Sequence, residues 1–223
     1  MTSRTCSCHV LTDNCDEVEA DIVFVVDNSG SIMDSEQLGA VSNWQLMKNF
    51  VISIVENLAI GGGRNRVGLV TFGNQGVNEF FMDDYSDAAS LIAAINATRY
   101  LGENTNTSGG LRVMREQQFR PERGDRPNVE NIAIVITDGR STYDNESTIP
   151  EAVLSRAAGI QIFAVGVTAS IDETEVRMIS SLPQQINRNY FLTADFSQIS
   201  EIMLALVEAT CEASEIGKDD VMT

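Results

Sequence analysis

The chain has 223 residues, 43% of them hydrophobic, and sets 15 Lys and Arg against 32 Asp and Glu for a net charge of −17. That length suits one domain with a sizeable core and is short for two. The negative balance argues against nucleic acid, heparin-like polyanions and anionic membranes as partners. No apolar run approaches the roughly 18 to 20 residues that cross a bilayer, and the first residues lack the apolar stretch of a signal peptide. A soluble chain without direct membrane insertion is expected, any secretion signal being absent from this sequence.

Residues 1–20 are polar and show no helical or strand period, so they read as an N-terminal arm ahead of a domain at 21–211 and a tail at 212–223. The arm holds Cys6, Cys8 and Cys15, and Cys211 falls near the end of the last helical pattern. A lone CxC with only His9 nearby is a poor zinc signal, since tetrahedral sites want four ligands. Terminal disulfides are expected instead, with Cys15 and Cys211 closing a loop around almost the whole domain and Cys6 and Cys8 left for other partners.

From Asp21 onward, short apolar β-branched runs alternate with helical patterns. The runs are "DIVFVVD", "RVGLVTFG", a polar "NEFF" piece, "NIAIVITDG", "IQIFAVGVT" and "NYFLT"; the helical stretches are 35–59, 87–99, 108–119, 148–158, 172–181 and 196–210. Strands that read as continuous apolar runs are buried on both faces, and helices between them imply right-handed crossovers. The class is therefore α/β, doubly wound, around a mostly parallel sheet. The first helix should lay Leu38, Val41, Trp44 or Gln45, Met47 or Lys48, Val51, Ile54, Val55 and Leu58 on the sheet. Gly61, Gly62 and Gly63 should stop it, glycine accepting the left-handed conformation of a helix end. Three sequons, at Asn96, Asn106 and Asn145, suit a glycosylated extracellular chain.

In such sheets, ligands bind beyond the carboxyl ends of the strands. Asp27 ends the first run and Asp138 ends "VITD", so two carboxylates should emerge on one edge. Asp27, Ser29 and Ser31 form D-x-S-x-S, whose alternate side chains can converge on one centre. Thr105, at a helix start, offers another hydroxyl. Carboxylate and hydroxyl oxygens without thiolate or imidazole suit a hard cation such as Mg2+ or Mn2+. The same hydroxyls would also serve as turn and N-cap residues.

The segments "DIVFVVDNSGSI", "RVGLVTFG", "TNTSGGL" and "IAIVITDG" resemble the von Willebrand factor type A domain from about Asp21 to Cys211, in order and spacing. The resemblance implies a Rossmann-like sheet with one antiparallel edge strand and helices on both faces. It also implies a metal-ion-dependent adhesion site: ligand hydroxyls on Ser29 and Ser31, the family threonine on Thr105 in preference to Thr107, and the family aspartates on Asp27 and Asp138. A partner's Glu or Asp carboxylate would complete the coordination. The rim that fits the partner would be Gly102, Glu103, Asn104, Arg140, Tyr143 and Asp144. "NWQLMKNFV" followed by "RVGLVTF" looks closest to secreted matrix members, matrilin-like and collagen-like, which implies an extracellular protein ligand. A structural matrix module with the metal only as scaffold is the alternative. Catalysis fits poorly: a haloacid-dehalogenase-like phosphatase needs an aspartate where Ser29 stands, and His9 lies outside the domain, leaving no base for a serine hydrolase.

Overall fold

The computed structural model describes residues 19–32, 41–169, 171–203 and 205–210. The expected arm as far as residue 18, the tail and the Cys15 to Cys211 bridge, with Cys6 and Cys8, lie outside the described residues, and Ala20, expected in the arm, begins β1. Six strands form one sheet: β1 (Ala20–Asp27), β2 (Arg66–Phe72), β3 (Gly76–Phe80), β4 (Glu130–Thr137), β5 (Ile160–Val167) and β6 (Tyr190–Thr193). Their order is β3-β2-β1-β4-β5-β6. Every pairing is parallel except β2 with β3, which is antiparallel at one edge. Between them run α1 (Asn43–Glu56), α2 (Ala88–Ala97), α3 (Thr107–Val113), α4 (Thr148–Ala157) and α5 (Glu173–Ile179). A last helical segment starts as tight 3-10 turns over Phe196–Ile202 and is α-helical at 203 and over 205–210.

The two-residue side-chain period of a strand explains why helices cover both faces. Ala20, Ile22, Phe24 and Val26 of β1 pack with Met47, Phe50, Ile54 and Val55 of α1, Leu91 and Ile95 of α2, and Leu206 of the last helix. Val23 and Val25, in the intervening positions, pack with Leu111 of α3, Ala152 of α4 and Val176 of α5. β4 and β5 repeat the pattern, with Ile132, Ile134, Phe163 and Val165 on the first face and Ala133, Val135, Ile162 and Ala164 on the second.

The structure corrects three sequence expectations. The helix expected over 35–59 begins at Asn43, where the Ser42 hydroxyl accepts from the Gln45 N–H. It is Trp44 and Met47, not Gln45 and Lys48, that are buried, and Val41 is 56% exposed ahead of the cap. Leu38 lies outside the described residues. That helix also ends at Glu56, before the three glycines. The Asn57 amide turns back onto the Ser53 carbonyl, and Gly61, Gly62 and Gly63, all at positive φ, form the turn into β2 instead. Thirdly, the helix expected over 108–119 widens after Val113 into a π turn, Met114–Gln118. The widening lets buried Gln118 reach the Phe80 carbonyl and the Asn78 side chain, beside the register shift between β2 and β3 at Leu69 and Val70.

At the opposite end of the sheet from the candidate site, Asp21, the second residue of β1, is fully buried. Its carboxylate accepts from the Arg126 N–H at 2.6 Å and from Arg126 Nε at 2.9 Å. The guanidinium also donates to the carbonyls of Ala20, Gly63 and Arg64. Burial pushes the Asp21 carboxyl above its ordinary range, with Arg126 opposing that shift. Removing one partner of such a pair leaves an uncompensated buried charge. Arg126→Ala is therefore expected to lower unfolding free energy by about 3 to 5 kcal/mol, measured by urea denaturation at neutral pH.

Candidate metal centre

The chain leaves β1 outward to β2 and β3 and then returns to the other side of β1 to make β4, so the sheet's switch point lies between β1 and β4. Open α/β sheets form a crevice beyond the strand ends at this point. Asp27 is the last residue of β1, and Asp138 directly follows β4. Both are buried, as is Ser29, whereas Ser31 is exposed at the mouth. One Asp27 oxygen accepts from the Ser29 N–H at 2.9 Å and the other from the Thr137 hydroxyl at 2.7 Å. The Ser29 and Ser31 hydroxyls stand 2.9 Å apart, and Ser31 donates to Asp138 Oδ1 at 2.6 Å. The Ser29, Ser31 and Asp138 oxygens thus form a continuous line across the crevice, in front of Asp27.

The loop that carries Thr105 is tied to this line two residues earlier. Ser29 makes a parallel bridge with Glu103, and the Gly30 N–H donates to the Glu103 carbonyl. Thr105 itself is held at both backbone groups: its N–H donates to the Thr142 hydroxyl, and its carbonyl accepts from the N–H groups of Thr142 and Tyr143. The less preferred alternative, Thr107, is fully buried and in contact with the Ser141 hydroxyl at 2.8 Å.

Burial and the neighbouring Asp138 push the Asp27 carboxyl up to about 6, against the hydrogen bonds from Ser29 and Thr137. Burial raises Asp138 as well. Two carboxyls that resist ionisation side by side are a site wanting positive charge. Among the described residues, no group of three or more His, Cys, Asp or Glu could hold an ion. A cation here would therefore depend on the hydroxyls, and an all-oxygen donor set of this kind fits Mg2+ or Mn2+.

The expected rim divides. Gly102 takes a positive φ and donates its N–H to the Asn28 carbonyl, while Tyr143 is 55% exposed. Glu103 is turned aside, its carboxylate accepting from the Asn74 N–H, and the Asn104 amide donates to the Asn74 side chain. Arg140 points to Asp172 at 3.8 Å. Asp144 is spent internally: its carboxylate accepts from Ser147 and Ser108, which hold it below its ordinary range, and it lies 3.7 Å from Arg112. Of the three sequons, Asn96 and Asn145 are exposed, but Asn106 is buried and caps α3, accepting from the Gly109 N–H while donating to the Asn74 carbonyl. A glycan on Asn106 would undo that cap.

Sequence reasoning missed several supporting groups. Asn28 braces the loop opposite, donating to the Arg99 carbonyl and accepting from the Leu101 N–H. Leu101 is 49% exposed next to it. Glu175 and Ser141 are joined across 34 residues. Only the polar identity of Asn28 between two expected ligands was a visible signal; the others depend on distant elements.

An α/β sheet with a hydroxyl-lined acidic crevice at its switch point defines a class of cation-site domains. A family model for the von Willebrand factor type A domain matches residues 21–205, and the chain belongs to that family. It is 35% identical over 204 residues to matrilin-2 of Mus musculus, covering 90% of this chain and 20% of that protein. It is 31% identical over 201 residues to the collagen alpha-6(VI) chain of Mus musculus, covering 90% of this chain and 8% of that one. Among solved structures, the proximal thread matrix protein 1 from the mussel byssus, with a zinc-occupied MIDAS motif, matches with a TM-score of 0.75 and 30% identity over 88% of this chain and 47% of that one. The chain thus spans less than half the length of each of these relatives. Their names are those of matrix proteins and collagens, and the chain is placed outside the cell with them.

The raised Asp27 carboxyl fixes the sign of a pH effect. An acid whose pKa is higher folded than unfolded contributes stability below its unfolded value, and that contribution is lost as pH rises through about 6. In metal-free protein, Asp27→Asn is expected to be more stable than wild type at pH 7.5 by on the order of 2 to 3 kcal/mol. The difference should vanish near pH 4, as read from thermal melts with chelator present.

Proposed function

We propose that the chain is a divalent-cation-dependent adhesion module of an extracellular matrix protein. In this reading Ser29, Ser31 and Thr105 hold Mg2+ or Mn2+ through hydroxyl oxygens, Asp27 and Asp138 balance its charge, and a carboxylate from a protein partner completes the coordination. The observation that carries the reading is the unbroken line of Ser29, Ser31 and Asp138 oxygens in front of a buried Asp27 whose ionisation its surroundings oppose. When bound, the ion supplies an electron-poor acceptor for an anionic ligand, because most of its protein donors are neutral. The engagement of Thr107 with Ser141 supports Thr105 as the ligand threonine.

Leu101 and Tyr143, anchored by backbone bonds to Asn28 and Thr105, put exposed apolar surface on two sides of the crevice. With a net charge of −17 on the chain, a partner rich in acids is repelled. A lone carboxylate between apolar side chains suits this rim. Collagens and other matrix proteins are the partner class that the relatives suggest. Asn96 and Asn145 remain the sequons open to glycosylation.

Two measurements test the reading. Calorimetry of chelator-stripped protein should show one saturable site for Mg2+ or Mn2+, lost in Asp27→Ala while circular dichroism stays unchanged; equal affinity in the variant would place the ion elsewhere. Binding to a panel of immobilised matrix proteins should vanish on chelation, while the melting temperature falls by only the few degrees that loss of a bound ion brings. Binding that survives chelation would favour the structural matrix module with the metal as scaffold.

A further inference from the structure

Behind the loop that follows Asp138 lies a buried cluster of hydroxyls closed by one carboxylate. Ser141 is 2% exposed, and Thr107 and Thr148 are fully buried. The Ser141 hydroxyl donates to Glu175 Oε1 at 2.7 Å and meets the hydroxyls of Thr107 and Thr148 at 2.8 and 3.0 Å. The same Glu175 oxygen accepts the Ser141 N–H at 3.0 Å. One carboxylate oxygen on α5 therefore pins a loop residue by both its backbone and its side chain, and ties it to α3 and α4. The neighbouring Asp172, the N-cap of α5, stands opposite Arg140 on the same loop.

The pinned residue sits between the two arms of the candidate centre. Asp138 lies three positions before it, and Thr142 and Tyr143 directly after it clasp the Thr105 backbone at 3.1, 2.9 and 3.1 Å. Whatever fixes Ser141 thus fixes the spacing of Thr105 from Asp138, two groups that come from different elements. We infer that Glu175 is a positioning residue for the cation: it touches no ion, and it sets the separation of Thr105 and Asp138 through Ser141. The inference rests on the proposed site.

What acts is the reach and the acceptor oxygen of Glu175, not its charge. Glu175→Gln keeps both, since the amide oxygen can accept the two Ser141 hydrogens, and loses the charge. Glu175→Asp keeps the charge and draws the acceptor back by one carbon–carbon bond, about 1.5 Å. Groups that orient ligands from behind typically cost 10- to 100-fold in metal affinity when removed. With Mn2+ as the probe and the full chain, titration followed by electron paramagnetic resonance should give Glu175→Gln within about threefold of wild type and Glu175→Asp weaker by roughly tenfold or more. A purely electrostatic role gives the opposite order, and two variants that both match wild type show that Ser141 needs no strut; either result overturns the inference. Should Glu175→Asp not fold, Thr142→Ala and Thr142→Ser decide it at the exposed next link: the alanine variant should be weaker severalfold and the serine variant restored, and equal affinity in both overturns it. If wild-type protein binds no Mn2+, the site reading itself falls, and the inference with it.

Discussion

The controlling constraint is a buried carboxylate that no Lys or Arg among the described residues neutralises. Asp27 ends a strand that is buried on both faces, and the partners that hold its oxygens are a backbone N–H and a hydroxyl. Asp138 arrives from the adjacent strand and raises the cost of ionising it. A hydrophobic core would not keep such a pair at a strand end for stability alone. The surroundings read as an arrangement that tolerates the pair: Ser31 engages Asp138, the Asn28 amide ties the 99–101 backbone down, and the Thr105 loop is locked to residues 142 and 143. The sheet supplies the aim of the aspartates, and the loops supply the neutral oxygens.

The layered fold was legible because β1, β4 and β5 carry unbroken apolar runs on both faces, over 22–26, 132–136 and 162–165, a pattern that a sheet covered on both sides satisfies. The ligand candidates were legible because D-x-S-x-S and the aspartate after "VIT" sit at strand ends, where backbone direction alone brings them to one edge. Less was readable where position depends on packing against remote residues. Leu38 to Val41 carried apolar spacing, yet Val41 stays outside the helix because Ser42 caps it one residue on. Asp144 and Asn106 looked like surface groups by type, and each is committed to the backbone or side chains of the 106–109 and 147 turns. Ser141 and Glu175 are separated by a helix and a strand, so nothing local announces their bond.

Belonging to the von Willebrand factor type A family gives the crevice a context without naming its ligand. The chain spans 20% of matrilin-2 and 8% of the collagen chain it resembles, so it corresponds to one module of proteins that hold much else. In the proposed reading such a module contributes one ion-dependent contact, and many copies would combine weak contacts into firm attachment.

The Arg126 fork has a mechanical meaning for a matrix protein. Tension entering along the chain ahead of Ala20 reaches Asp21 first, and there one guanidinium joins β1 to the carbonyls of Gly63 and Arg64 and to its own loop. Beyond it, β1 is flanked by parallel neighbours on both sides, so a lengthwise pull loads two ladders in shear, with every bond sharing the force at once. The strand that carries Asp27 at its far end is thereby firmly anchored on both sides, and the crevice is shielded from strain applied at the opposite edge.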